Sequence, residues 1–334
     1  MRKIHILILI AIGLSSCTVE KTPFGNRLHF VSRGELQEVT QMKENEHLIS
    51  VESSGGEFLR GYNALAVKIT TAQTFEKLNV EKVTLSITRT DESGKPSYIP
   101  YSQVLENSED SRIFKGFAVF DTPKRYSVLN ATHTGIKTPW RLHLTYIIEG
   151  KEYQAEKEIT VWDTRNPNLN MTQFQGRDGK KYMIALTAPE IPKVALNDLS
   201  AGIWVQQPDS TYTVANHYLL ELDPRMPGED MGNHSSPDNQ NLTQGADGFY
   251  HGKVNYTMTG YWTLNFILKD AQKRVIKGTE VPDTVKMGVF GEQSELHIDI
   301  LFYETHEKIY NVSIFIDYSD YLRADKQKRQ YYSA

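Results

Sequence analysis

Between Asp223 and Tyr250 the chain runs DPRMPGEDMGNHSSPDNQNLTQGADGFY, a polar stretch that nevertheless holds Met226, Met231 and His234. Ordering a loop residue costs about 1–2 kcal/mol, and a polar loop offers little apolar burial to offset it, so thioethers here need a reason. A soft metal supplies one. Thioether sulfur selects Cu(I), and imidazole accepts Cu(I) or Cu(II), whereas hard ions favour carboxylate cages. The spacing Met226-x4-Met231-x2-His234, closed by His217, His251 or Met258 from the flanking segments, makes a mixed sulfur and nitrogen copper site. These six residues are the expected metal ligands. The plainer alternative packs Met226 onto a sheet edge and leaves His234 in solvent.

Other chemistry is poorly represented. No G-x-S-x-G, P-loop, H-E-x-x-H or G-x-G-x-x-G pattern occurs. His297 and Asp299 alternate with apolar residues, which predicts a solvated strand face, and His133 sits in a loop-like NATHTG segment. His143 is expected on the outward face of the Trp140 strand. Catalysis is not expected.

The chain has one cysteine, Cys17, which excludes an internal disulfide and Cys-based zinc or iron–sulfur sites. It follows Arg2, Lys3 and an apolar run from Ile4 to Leu14, too short to cross a bilayer as a helix. Leu14-Ser15-Ser16-Cys17 resembles the lipobox of bacterial lipoproteins. The resemblance implies a signal peptide over 1–16, lipidation at Cys17 and membrane anchoring through the acyl chains. Thr18 rather than Asp after the cysteine implies the outer membrane of the cell envelope, facing the periplasm. Processing removes two bases and no acid, so the mature chain has 35 basic and 41 acidic residues, a net charge of −6. That balance disfavours nucleic acid as a partner, and the basic stretch Arg323–Arg329 reads as a solvated end.

The elements that must position the loop are strands. Tyr62–Thr70, Val83–Thr90, Gly116–Phe120 and Trp140–Ile147 are short, alternating and rich in β-branched and aromatic residues. The second half repeats the pattern at Tyr182–Thr187, Ala201–Val205, Tyr218–Leu222, Gly252–Met258 and Trp262–Leu268. Very little helix is expected. Setting Gly61–Val67 beside Lys181–Leu186, and Pro139–Leu144 beside Tyr261–Phe266, suggests a duplication. The expected fold is all-β, with two tandem immunoglobulin-like β-sandwiches. The organisation is a lipidated tether over 17–45, a first sandwich over 46–163 and a second over 172–290. A C-terminal β-hairpin over 291–334 extends the second sandwich. Trp140 and Trp262 are expected core residues.

The residues Met226-Pro227 to His234, then Gly248-Phe249-Tyr250-His251-Gly252 and Gly260-Tyr261-Trp262-Thr263-Leu264, resemble YtkA-like and FixH-like domains. Those are small extracytoplasmic β-sandwich modules with a Met-Pro-x-Met-x-His turn. The resemblance covers roughly residues 180 to 275 and implies copper binding or trafficking, with a copper transporter or an oxidase-assembly protein as partner. Glu229-Asp230 lengthens the turn relative to that pattern, and Asn233 precedes the histidine. The rival expectation is a non-enzymatic cell-envelope interaction or structural module without metal.

Overall fold

The computed structural model describes residues 35–90, 96–108, 112–121, 138–162, 166–283, 286–304 and 309–311. Cys17 with its lipobox, His133 and the basic stretch 323–329 lie outside them. The described residues form strands, turns and irregular connections, with no helix.

The N-terminal half contains β1 (Leu36–Glu44), β2 (His47–Ser54), β3 (Phe58–Leu59), β4 (Gly61–Thr71) and β5 (Val80–Thr90). It continues with β6 (Pro96–Ser97), β7 (Glu106–Ser108), β8 (Ile113–Phe120), β9 (Thr138–Ile148) and β10 (Lys151–Trp162). They pair as two five-stranded sheets, β1-β2-β4-β8-β7 and β3-β10-β9-β5-β6. Alternation in β4 and β9 turns Leu65, Val67, Leu142 and Leu144 into one core, where Trp140 is fully buried. The β9–β10 hairpin closes through Glu149-Gly150, both at positive φ (50° and 71°), the two-residue turn whose twist suits antiparallel strands. Leu36–Glu44, in the stretch expected to be tether, pairs along β2 as an edge strand. Its alternation was masked in the sequence because that edge is largely exposed.

The C-terminal half contains β11 (Met171–Gln175), β12 (Lys181–Ala188), β13 (Leu196–Gln206), β14 (Tyr212–Val214), β15 (Leu219–Arg225) and β16 (Gln240–Gln244). Then follow β17 (Tyr250–Asn255), β18 (Gly260–Lys269), β19 (Val275–Lys277), β20 (His297–Glu304) and β21 (Ile309–Asn311). The main path β11-β12-β13-β17-β16-β15-β18-β20-β21 is continuous. A parallel bridge between Leu169 and Asp299 joins its two ends, so the sheet curls around a second core centred on Trp262, Leu264 and Phe266.

The two halves repeat one strand order. β1-β2-β4-β8-β7 corresponds to β11-β12-β13-β17-β16, and β10-β9-β5 corresponds to β20-β18-β15. Register supports this residue by residue. Asn63 accepts from Leu59 N–H and donates to the Leu59 and Gly61 carbonyls. Asn197 makes the same bracket with Lys193 N–H and the Lys193 and Ala195 carbonyls. Two residues later Leu65 faces Gly116 and Leu199 faces Gly252. At both glycines a Cβ would collide with the neighbouring segment, at 2.5 Å from Leu105 Cδ2 or from the Gln240 carbonyl.

The pairing of Pro139–Leu144 with Tyr261–Phe266 therefore agrees with the register. The pairing of Gly61–Val67 with Lys181–Leu186 is corrected: β4 is equivalent to β13, and β12 to β2. Local similarity misaligned them because neighbouring strands of one sheet share composition, while only hydrogen-bond order distinguishes them. Likewise β20 is more than an extension, since it pairs with β18 as β10 pairs with β9.

Candidate functional site

The six expected ligands divide between opposite ends of β15. At its C-terminal end Arg225 faces Thr263, and Met226 follows, 8% exposed and part of the second core. Its Cε lies 3.2 Å from where a Cβ on Gly260 would be. In the first half the equivalent place, one residue beyond the pair Thr88–Arg141, belongs to Arg89, whose guanidinium sits 4.6 Å over the Trp140 ring. Met226 thus occupies the core-edge position beside Trp262. Met231 and His234 are exposed in the following turns, and Met258 is exposed just before β18, with its carbonyl accepting from Trp262 Nε1.

At the other end Leu219 faces Thr243, which in turn faces His251. Six residues of strand at about 3.3 Å each separate that end from Arg225 by about 20 Å. His217 lies there too, exposed, its N–H donating to Gln244 Oε1 at 2.8 Å. His251 has both ring nitrogens engaged, Nε2 with the Asp247 carboxylate at 3.0 Å and Nδ1 with Ser200 Oγ at 3.2 Å. Burial raises the Asp247 pKa, but the His251 hydrogen bond, the Phe249 N–H and the imidazole charge outweigh it and hold the carboxyl below its ordinary value. The chain Asp247–His251–Ser200 has the residue types of an acid–base relay. Ser200, however, is buried on β13 directly opposite His251 and presents no open face to a substrate.

Among the described residues no three His, Cys, Asp or Glu side chains gather as a metal cluster. The structure brings Met231, His234 and Met258 to one end and His217 and His251 to the other, with Met226 beneath the surface of the first.

The loop itself is firmly built. Arg225, 4% exposed, donates from Nε to Asp223 at 2.7 Å, from Nη1 to the Asn233 and Pro282 carbonyls, and from Nη2 to the Val281 carbonyl and Asp283. All five guanidinium donors are used. Two further backbone bonds, Gly288 N–H to Glu229 O at 2.8 Å and Gly291 N–H to Pro227 O at 2.7 Å, tie residues 286–292 to the turn. Sequence reasoning missed this hub. Its only local signal was an arginine between two prolines, and three of its five acceptors come from more than fifty residues away.

His297 and Asp299 also depart from expectation. Asp299 is 3% exposed, because the segment before β11 pairs along the edge of β20 and brings Asn166 over its carboxylate. Its carboxylate accepts from Thr263 Oγ1 at 3.0 Å and Asn166 Nδ2 at 2.8 Å. His297 bonds through Nδ1 to the Ser294 carbonyl at 2.9 Å and through Nε2 to Asn168 Nδ2 at 2.7 Å. This network closes the curled sheet; the face is a covered seam rather than a solvated one.

A third apolar cluster joins the halves. Phe117 lies 5.8 Å from Trp204 and 5.6 Å from Phe249, with Tyr62 stacked on Phe117 at 5.5 Å. Val119, Met171, Met183 and Ala185 are buried around them. Burial, with Glu190 nearby, pushes the Tyr62 phenol up to about 12.

No family model matches the chain, and no curated protein does. Solved structures similar to parts of it include a DUF4785 family protein from Legionella pneumophila, at 12% identity over 70% of this chain and 54% of that one, with a TM-score of 0.23. The chain thus spans about half of that protein's length. A conserved domain protein from Bacillus anthracis matches at 12% identity over 82% and 93% of the two chains, with a TM-score of 0.28. The adhesin InvE of Yersinia pseudotuberculosis matches at 10% identity over 81% and 68%, with a TM-score of 0.19.

Proposed function

We propose that this chain is a lipid-anchored extracytoplasmic protein of two tandem immunoglobulin-like β-sandwiches that binds another protein of the cell envelope and performs no catalysis. The fate of Met226 carries this reading. The residue that would begin a copper site is packed into the core beside Trp262, and the imidazoles that would complete it are divided between ends about 20 Å apart. The repeated strand order supports the tandem-sandwich description.

The test is metal competition on the soluble chain from Thr18 onward, with Cu(I) held by a chromogenic chelator. The expected result is that the chain and a Met226→Ala, Met231→Ala, His234→Ala triple variant compete equally and weakly. Loss of tight uptake in the triple variant overturns the reading. A second reading keeps copper, and the exposure of Met231, Met258 and His234 at one end of the C-terminal half favours it. There the protein hands copper to a transporter or oxidase-assembly partner, and the Met231, Met258 and His234 side chains alone supply the ligands.

A further inference from the structure

The cap made by residues 226–236 and 286–292 packs Met226 into the core but otherwise leaves apolar side chains in water while it hides polar ones. It buries Arg225 at 4%, Asn233 at 6% and Ser236 at 7%, while Met231 is 42%, Val289 54% and Met287 65% exposed. Loops normally do the reverse, because apolar side chains gain by leaving water and polar ones need partners. The inversion is held in place. Glu229 and Pro227 carbonyls accept from Gly288 and Gly291, Asn233 Nδ2 donates to the Glu292 carbonyl at 3.1 Å, and Arg225 fastens the turn to residues 281–283. An ordered loop that keeps thioether and isopropyl groups in water is pre-organised for something that covers them. Methionine, unbranched and polarisable, suits a surface that must fit an apolar partner.

The charges around the patch say what kind of partner. Over residues 227–236, 280–283 and 286–292 there are five acids, Glu229, Asp230, Glu280, Asp283 and Glu292, against the single base Lys286. Even with the buried Arg225 counted, the cap is net negative by three. A second copy would bring the same acidic rim and repel it.

We infer that this cap is the docking surface for a partner segment in which lysine or arginine flanks apolar side chains, the apolar groups lying on Met231, Met287 and Val289 and the cations on the acidic rim. This rests on the interaction reading above and names its surface and the chemistry of its partner.

Fluorescence anisotropy on the soluble chain from Thr18 tests it, with a synthetic peptide of about twelve residues alternating lysine and leucine as probe. A glutamate and leucine peptide serves as control. The lysine peptide is expected to bind, to weaken as salt is raised, and to bind at least about tenfold more weakly to a Met231→Ser, Met287→Ser, Val289→Ser variant. A Phe75→Ser, Val104→Ser variant, altered at exposed positions of the other half, should bind as the parent does. Far-ultraviolet circular dichroism and urea midpoints confirm that both variants fold, which exposed positions permit. If the parent binds neither peptide, or binds both equally, the assignment is overturned. Equal binding by the cap variant shows that the patch is wrong while a peptide-binding function stands. Tight Cu(I) uptake in the competition assay removes the interaction reading itself. Sedimentation that shows a dimer abolished by the cap variant overturns the choice of partner.

Discussion

Side chains in this protein are best understood by asking what each polar atom meets. Tyr256 is fully buried beside Trp262 and Phe302, and its hydroxyl has no hydrogen-bond partner among the described residues. Burial accordingly raises its pKa far above the ordinary phenol value. Tyr256→Phe removes a desolvated hydroxyl and keeps the ring, so it should stabilise the protein by about 1 kcal/mol in urea denaturation. A loss of stability would reveal a bond the structure does not contain. Met226→Ala should cost about 2–3 kcal/mol, as for other core methionines, and leave Cu(I) competition unchanged. Asp247 has a depressed folded pKa, so its contribution is present above the unfolded value of 3.8 and is lost as pH falls through the lower folded value. Both partners are half exposed, so Asp247→Asn should cost under about 1 kcal/mol near neutrality. Its urea midpoint should converge with that of the parent once the pH has fallen below the depressed folded value.

At the scale of strands and loops, the asparagine brackets are the shared device of the two halves. Each satisfies one backbone donor and two acceptors where the chain turns into a central strand, at β4 and β13. Asn63→Ala and Asn197→Ala should each destabilise by about 2 kcal/mol, because buried backbone groups lose their partners. Unequal losses larger than about twofold would mean that the two brackets are not equivalent. Strands were legible in the sequence where apolar residues alternate strongly, as with Leu142 and Leu144 or Leu264 and Phe266, whereas β2 and β10, each with one buried face, went unread. Strands were also illegible where exposure erases alternation, as in β1, and where a strand interrupts a polar loop, as in β16. The expected metal loop was legible as an oddity. Its ordering comes from Arg225 and the 281–292 segment, however, and no local pattern connects those residues.

For the molecule as a whole, the aromatic cluster of Tyr62, Phe117, Trp204 and Phe249 and the Gln173–Asp121 hydrogen bond of 3.1 Å couple the two halves. Two cores sharing buried aromatic surface should unfold together. Calorimetry of the soluble chain is expected to give one transition, and Phe117→Ser should separate it into two by uncoupling the halves. Two transitions in the unmodified chain would show that the cluster transmits little energy.

Period-two alternation and turn residues determined by themselves that this chain is built of strands, since that signal needs only neighbours along the chain. The buried Trp140 and Trp262 followed from the same signal. Only the tertiary structure decided which strands correspond, because equivalence lies in hydrogen-bond order rather than in local composition. It likewise put Met226 in the core while leaving Met231 and Met287 in water, and covered Asp299 with the segment before β11. Each of these turns on contacts between residues far apart in the chain, and a side chain's exposure is fixed by what folds over it.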